Sequence, residues 1–312
     1  MQNVSPQGSM VQVTDAEVFQ TDRPLFFSIA YRMLGSASDA EDVVQDAWLR
    51  YRNADRDAIR SPKAFATTIV TRLCLDRLKS ARATREHYVG PWLPEPIVTS
   101  SEGAPDAMLQ RSESVTLAFL VLLERLSPEE RAVFLLKEVF EYEHGEIARM
   151  LEITAANARQ IFHRAKSRIA AGRPRLEGTA QSRRAVAERF AKAFQEGDGR
   201  TLSDLLAAGV GLWSDGGGKV PAGRRPLSGR DEVLNFLLGL HRIAVTSGIG
   251  RDATVEITEV NSEPAALIRI QGRLDSVYVF SIDGASIAAI RVVRNPDKLS
   301  YVERQLISAR PT

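Results

Sequence analysis

The chain has 312 residues, a formal net charge of +2, 44% apolar and 26% charged residues. These are the values of an ordinary soluble globular protein with room for two or three domains. No stretch approaches the roughly 18 uninterrupted apolar residues of a membrane span. The first residues, MQNVSPQGSMVQVTDAE, have neither a cationic start nor an apolar block, so no secretory signal is expected. A single cysteine, Cys74, excludes an intramolecular disulfide and suits a reducing cytoplasm. With only four histidines and no metal-ligand spacing, neither a metal nor a cofactor is expected.

The charge is unevenly spread. Residues 38–46, SDAEDVVQD, hold four acids (Asp39, Glu41, Asp42, Asp46) and no base. Residues 60–90 hold seven Arg/Lys against two acids, and residues 155–175 hold six Arg/Lys and no acid. One acidic helix and two basic ones imply two kinds of polar partner.

In chain order, the first 83 residues read as helical. Thr14-Asp15-Ala16-Glu17 and Ser38-Asp39-Ala40-Glu41 both fit a capping box. Ser61-Pro62 places an N-cap before a proline at the first helical position. In the helix that follows, apolar residues at 65, 69, 73 and 75/78 predict one buried stripe. Cys74 stands beside it as a small packing residue. Residues 89–106 carry four prolines and read as an extended linker. A second helical block runs from about 107 to 172, punctuated by Ser127-Pro128-Glu129-Glu130. Beyond 182 the texture changes. RRAVAERFAKAFQEGD forms an amphipathic helix with Val186, Phe190 and Phe194 inward. From 253, ATVEITEV, AALIRIQ, LDSVYVFSID and ASIAAIRVV are β-rich runs separated by turn residues. The last 130 or so residues therefore form an α+β domain distinct from the helical front.

EHGEIARMLEITAANARQIFHRAKSRIAAG reads as helix-turn-helix. Ile147, Ala148 and Leu151 face inward on the first helix, Ile153 plugs the turn and Thr154 caps the second helix. That helix, from Ala155, turns Ala158, Ile161, Ala165 and Ile169 inward. It leaves Ala156, Asn157, Arg159, Gln160, His163, Arg164 and Ser167 outward. Short residues at its start permit close approach to a major groove, where Asn, Gln and Arg pair with base edges. Arg164, Lys166 and Arg168 can reach phosphate. The alternative is a solvated basic helix in a bundle. Glu152 stands where such turns favour a left-handed glycine, at a cost of about 1 kcal/mol.

These segments resemble an extracytoplasmic-function (ECF) sigma factor of the sigma-70 family. LFFSIAYRMLGSASDAEDVVQDAWLRYR is similar to the start of sigma domain 2, SPKAFATTIVTRLCLDRLKSAR to its promoter-reading part, and LSPEERAVFLLKEVFEYEHGEIARMLEITAANARQIFHRAKSRI to sigma domain 4. WLPEP (92–96), DGGGK (215–219) and NPDKL (295–299) together resemble the subgroup with a C-terminal SnoaL-like domain of the NTF2-like superfamily. The resemblance implies a multidomain fold: two all-α sigma domains, then an α+β cone. Its divisions are domain 2 at 15–88, a linker at 89–106, domain 4 at 107–172 and a regulatory domain at 180–312.

The resemblance also implies roles. The acidic helix, 38–52, would dock on the clamp of the RNA polymerase β′ subunit through Asp39, Glu41, Asp42, Gln45 and Asp46. The loop and helix of 53–86 would read and melt the −10 element. There Asn53, Asp55 and Arg60 belong to the loop, and Arg72, Arg77, Lys79, Arg82 and Arg85 supply charge. Arg72 stands where many relatives have Asn. Ala155, Ala156, Asn157, Arg159, Gln160, His163, Arg164 and Lys166 would read the −35 element. The resulting expectation is a cytoplasmic, non-enzymatic transcription initiation factor, monomeric when free and without membrane contact.

SDGGGK (214–219) superficially suggests a phosphate loop. A P-loop needs GxxxxGK followed by Ser or Thr. Here Val220 follows Lys219, and Trp213 occupies the first glycine position, so nucleotide binding is not expected. In the resembled subgroup this loop touches the sigma core. Asp215, Gly216, Gly217, Gly218 and Lys219 are therefore read as a contact loop, with Asn295, Pro296, Asp297, Lys298 and Leu299 beside it. Trp92, Leu93, Pro94, Glu95 and Pro96 are read as a docking surface. The alternatives are a plain turn and a stiff spacer. A C-terminal ligand sensor, or an isomerase or cyclase built on Asp215, His241, Tyr278 and Asp283 with Trp213 and Phe280 lining a cavity, also remains open; Asp215 is expected in an open loop.

Overall fold

The computed structural model describes residues 15–55, 59–85, 88–99, 115–170 and 178–308. Helices α1 (Asp15–Leu34), α2 (Ala37–Arg52) and α3 (Pro62–Arg85) pack as one group. In α2 the buried positions Ala37, Ala40, Val43, Val44, Ala47 and Tyr51 recur every three or four residues, which makes one apolar stripe. It meets Phe19, Phe26 and Ile29 of α1 and Val70 and Cys74 of α3 in a common core. Cys74 is wholly buried, and burial pushes its thiol well above the usual range. The buried stripe of α3 runs through Ala66, Val70, Leu73 and Cys74, with Phe65, Ile69 and Leu75 partly covered. The expected line is partly met, with Leu73 and Leu78 buried, and the stripe is widened toward Ala66, Val70 and Cys74. The expected capping box at Ser38 is corrected. Ser36 is the cap, accepting from the Asp39 amide, and Ser38 lies inside the first turn.

The second helical group comprises α4 (Leu117–Leu123), α5 (Pro128–Glu138), α6 (His144–Leu151) and α7 (Ala155–Ala170). Ser127 and Glu130 form the expected reciprocal capping box at the start of α5. Glu143 and Glu146 form a second one at the start of α6. Thr154 caps α7, its hydroxyl accepting from the Asn157 amide at 3.1 Å. The two groups are in contact. The Arg131 guanidinium, 3% exposed, donates from α5 to the Met33 carbonyl at the end of α1 at 2.6 Å.

The remaining chain forms α8 (Ala180–Glu196), α9 (Gly199–Leu205), β1 (Leu206–Asp215), β2 (Leu227–Ser228), α10 (Arg230–Thr246), β3 (Ala253–Val260), β4 (Glu263–Ile270), β5 (Arg273–Asp283), β6 (Ser286–Val293) and α11 (Pro296–Ser308). The strands make one sheet in the order β2-β1-β6-β5-β4-β3. β1 and β6 are parallel and the other pairs antiparallel. Alternation along β5 sends Val277 and Val279 to one face and Phe280 and Ile282 to the other. On the second face α8, α9 and α10 close over Phe280, with Val186, Phe190, Leu202 and Leu237. The first face belongs to the core that contains α1, α2, α3 and the linker. A sheet buried on both sides explains why its strands read as nearly continuous apolar runs. The four β-rich runs predicted from 253 onward are β3 to β6. Strand β1 was not read from sequence: its two glycines, Gly209 and Gly211, weaken a strand signal. Its position follows from pairing with β6 more than 70 residues away.

Candidate functional site

The acidic surface lies on α2. Asp39, Glu41, Asp42, Gln45 and Asp46 are all exposed above the buried stripe. Arg77 of α3 reaches across to Asp39 at 3.1 Å and to Asp42 and Asp46 at 3.5 Å each. One guanidinium thus holds three carboxylates on one face. These groups are solvated, so the pairs orient the cluster more than they stabilise the fold. From α11, the Tyr301 hydroxyl lies 3.4 Å from Glu41 and Arg304 lies 3.4 Å from Ser38.

Of the basic residues assigned to the −10 element, Arg77 is therefore engaged with the acids, and Arg72 is engaged with the second helical group. Arg72 donates through Nε to the Met150 carbonyl at 3.0 Å and pairs with Glu152 at 2.8 Å. Glu152 adopts the left-handed conformation expected at the end of α6 (φ 57°, ψ 41°). Its side chain thus joins the turn of the helix-turn-helix to α3. Thr67 of α3 and Tyr142 share a further hydrogen bond at 3.1 Å. Asn53 closes α2, and Asn53, Asp55, Arg60 and Lys79 are exposed. Arg82 and Arg85 stand in the last turns of α3. Part of the 53–61 loop, residues 56–58, lies outside the described residues.

On α7, Ala158, Ile161, Phe162, Ala165 and Ile169 are buried, and Ala156, Asn157, Arg159, Gln160, His163, Arg164 and Lys166 are exposed. Ala155 is half-buried at its start. Phe162 joins the inward set beyond the expected residues and stacks on Phe134 at 6.2 Å. Arg164 and Arg168 lie 3.9 and 2.5 Å from Glu130, and Lys166 lies 3.1 Å from Glu138. The side chains of Arg159 and Gln160 make no hydrogen bond or ion pair among the described residues.

The linker, the glycine loop and the start of α11 converge. Asp215 is not in an open loop, as the sequence suggested: it is wholly buried. One carboxylate oxygen accepts from the Tyr88 hydroxyl at 2.6 Å and the Gly217 amide at 3.0 Å. The other accepts from the Leu93 amide at 2.8 Å and the Lys298 ammonium at 2.7 Å. Pairing of β1 with β6 explains this position, because it delivers Asp215 beside Val293 and the turn into α11. Lys298 lies over the Trp92 and Tyr88 rings, 4.4 and 5.0 Å from their centroids. Burial, then the hydrogen bond to Asp215, pushes the Tyr88 phenol up. Asn295, with buried Leu299 nearby, donates to the Tyr88 hydroxyl at 3.0 Å, and Asp297 pairs with Lys219 at 2.6 Å. The glycines are required by space. A Cβ on Gly217 would lie 2.3 Å from the Asn295 side chain, and one on Gly216 would lie 2.4 Å from the Val220 carbonyl.

The linker continues against α2. Leu93, Pro94, Glu95 and Pro96 are buried, and Trp92 packs over Gly35. The Glu95 carboxylate accepts from the Ser36 hydroxyl, the Ser38 amide and the Ser38 hydroxyl at 2.9–3.0 Å. A carboxylate at the N-terminus of α2 is favoured by the unpaired amides and the helix dipole there. This contact also explains the corrected cap, since Ser38 is already committed to Glu95. Residues 100–106 of the predicted linker lie outside the described residues.

The polar groups considered for catalysis are not assembled. Asp215 faces the linker. Asp283 is exposed opposite Ser286, at the other end of β6 from Val293, roughly 23 Å away at strand spacing. His241 sits against Phe194, and Phe280 fills the core beside Phe190 at 5.0 Å. Tyr278 is half-buried against the core under α8 to α10, and desolvation raises its phenol to about 12. A cleft of about 370 Å³ lies outside the sheet, between Val89–Gly90 and the glycine loop, with Lys219 and Arg224 at its edge. No group of three or more potential metal ligands occurs among the described residues, and no helix is long and apolar enough to cross a membrane.

Family comparisons divide along the same lines. Residues 18–84 match Sigma-70 region 2, and residues 116–169 match Sigma-70 region 4. Over 303 residues the chain is 34% identical to the ECF RNA polymerase sigma factor SigJ of Mycobacterium tuberculosis, covering 94% of this chain and 96% of the relative. The chain belongs to the ECF sigma factors.

A probable ECF sigma factor, SigI of the same organism, is 31% identical over 92% of this chain and 96% of its own length. The crystal structure of M. tuberculosis SigJ matches with a TM-score of 0.75 at 32% identity, covering 92% of this chain and 98% of that one. The likeness spans the sheet as well as the helices. This sigma factor therefore shares with its bacterial relatives an architecture that includes the expected C-terminal α+β domain. Sequence reasoning missed Tyr31, Tyr88, Asn261 and Glu263 at the junctions. Asn261 was visible only as turn punctuation between two β-rich runs.

Lys298→Met removes the only cation bonded to Asp215 among the hydrogen bonds described above while keeping a long apolar stem. It should destabilise the junction by about 3–5 kcal/mol, the usual effect of stranding a buried charge. Chemical denaturation, followed through tryptophan fluorescence, measures this loss.

Proposed function

We propose that this ECF sigma factor, which directs RNA polymerase to promoters, divides the work among its parts as follows. Residues 15–88 form the unit that binds polymerase and opens the −10 element. Residues 107–172 form the −35 reader. Residues 180–312, with the 89–106 linker, form a built-in regulator. The exposed acids of α2 dock on the β′ clamp. Their support is an apolar stripe buried beneath them and Arg77 arrayed across three of them, which leaves the outer edges of a preformed anionic surface free. Asp42→Lys combined with Asp46→Lys should weaken binding to core polymerase at least tenfold in a fluorescence titration. An unchanged affinity would remove this assignment.

In α7, Arg159 and Gln160 read bases, and Arg164 and Lys166 contact phosphate. This reading is supported by Arg159 and Gln160 being exposed and unengaged near the start of the helix, with the lysine and arginine further along. Arg159→Ala or Gln160→Ala should lower promoter selectivity by about 1–3 kcal/mol. Arg164→Ala should weaken binding to all sequences evenly and flatten the salt dependence. Binding to promoter and scrambled duplexes across a salt series distinguishes the two classes.

The observation that carries the regulatory reading is the buried Asp215–Lys298 pair seated on the linker, which ties the SnoaL-like domain to the polymerase-binding helices. Truncation after residue 175 should change promoter-dependent transcription in vitro without abolishing association with core polymerase. A truncated chain that transcribes like the full-length protein would defeat this reading.

A further inference from the structure

The turn between β3 and β4 is unusual in what it touches. Asn261 and Ser262 both have left-handed backbones (φ 53° and 59°), as a two-residue hairpin turn requires. Hairpin tips ordinarily face water. Asn261 is instead wholly buried. Its Nδ2 donates to the Tyr31 hydroxyl of α1 at 2.7 Å and to the Val115 carbonyl ahead of α4 at 2.8 Å. Its Oδ1 accepts from the Ile97 amide at 3.0 Å, and its own amide donates to the Ile97 carbonyl at 2.9 Å. One carboxamide therefore joins the region 2 helices, the linker and the region 4 helices. Two residues on, Glu263 is 1% exposed. One of its oxygens accepts from the Leu117 amide in the first turn of α4 at 2.9 Å, and the other accepts from Ser281 at 2.6 Å. Arg291 bonds Ser281 in turn at 2.7 Å and keeps this network closed.

The joined conformation has a geometric consequence, given the assignment of α3 and α7 proposed above. Elements named −35 and −10 lie about 25 base pairs apart, on the order of 80 Å along B-DNA at about 34 Å per turn. The helices are about 36 and 24 Å long at 1.5 Å per residue. In this conformer α3 bonds directly to the end of α6, through Arg72 and Met150. The closed chain cannot span both elements, so the two helical groups must separate. We propose that the β3–β4 turn is the clasp that sets the balance between closed and open forms, with Asn261 and Glu263 as its positioning residues. The ion pair at Arg72 is exposed and weak by comparison. The turn is buried, and its bonds to Tyr31, Ile97 and Val115 are what resist opening; Tyr31 also donates to the Glu95 carbonyl at 2.7 Å, so Ile97 and Val115 lose more.

Pulsed EPR on the full-length protein tests this, with spin labels at engineered cysteines replacing exposed Ser80 and Ser167 and the wholly buried Cys74 left in place. Asn261→Gly removes the carboxamide but tolerates the left-handed backbone, so the hairpin is retained. It should raise the open-to-closed ratio about tenfold to a hundredfold, seen as a new population at longer distance. Tyr31→Phe removes the hydroxyl that accepts from Asn261 and donates to the Glu95 carbonyl, keeps the ring, and should give a shift of the same sign. Asn235→Ala, on exposed α10 surface, should leave the wild-type distribution unchanged. Two folded variants, Asn261→Gly and Tyr31→Phe, with wild-type distances would overturn the clasp. If near-ultraviolet circular dichroism shows that Asn261→Gly has lost its tertiary packing, Tyr31→Phe alone decides. The assignment of α7 fails separately: Arg159 and Arg164 variants that behave alike in DNA binding would remove it while leaving the EPR shift intact.

Discussion

A carboxylate without access to water needs a cation and several donors, and Asp215 finds them only where three distant stretches of the chain meet. Tyr88 and Leu93 come from the linker, Gly217 from its own loop and Lys298 from α11. None of these contacts is local apart from the loop amide. The desolvation cost of Asp215 therefore falls on any conformation in which the linker leaves the sheet domain. The same linker seats Trp92 over Gly35 and brings the Glu95 carboxylate to the start of α2.

The sheet extends the same logic. One face is filled by its own helices, through Phe190, Phe280 and Leu237. The other contributes Val277, Val279 and Leu267 to the core that holds α1 to α7. An apolar sheet face must be buried against another layer, and here the sigma helices and linker cover it. Glu263 and Asn261 sit where that face meets α4 and α1, so apolar contact and buried hydrogen bonds coincide at one seam. Polar groups at such a seam favour one register of the parts over sliding alternatives.

Charges suited to external partners are partly satisfied within the molecule. Arg77 answers the acids of α2, Arg72 answers Glu152, and Arg168 and Lys166 answer Glu130 and Glu138. Apart from Arg168, whose partner Glu130 is buried, these pairs are largely solvated and individually weak. A polyanionic or polycationic partner can exchange them at little cost. That distinguishes them from the buried junctions at Asp215, Asn261 and Glu263, where separation leaves polar groups without water.

The sequence by itself determined the local elements and their chemistry. Capping at Ser127 and Thr154, the inward stripe of α7, the acidic face of α2 and the β-rich runs after 253 follow from spacing of three to four or of two residues. Those periods are properties of isolated helices and strands. The same locality misplaced the start of α2: Ser38 fits a capping box, but Glu95, 57 residues away, takes its amide and hydroxyl. Asp215 looked open because three glycines follow it, and only the pairing of β1 with β6 buries it. Asn261 looked like a turn residue and is one, yet its partners come from three other stretches of the chain. Tertiary structure alone decided which polar groups lost water, because burial depends on what arrives from elsewhere and no short-range pattern records the arrival.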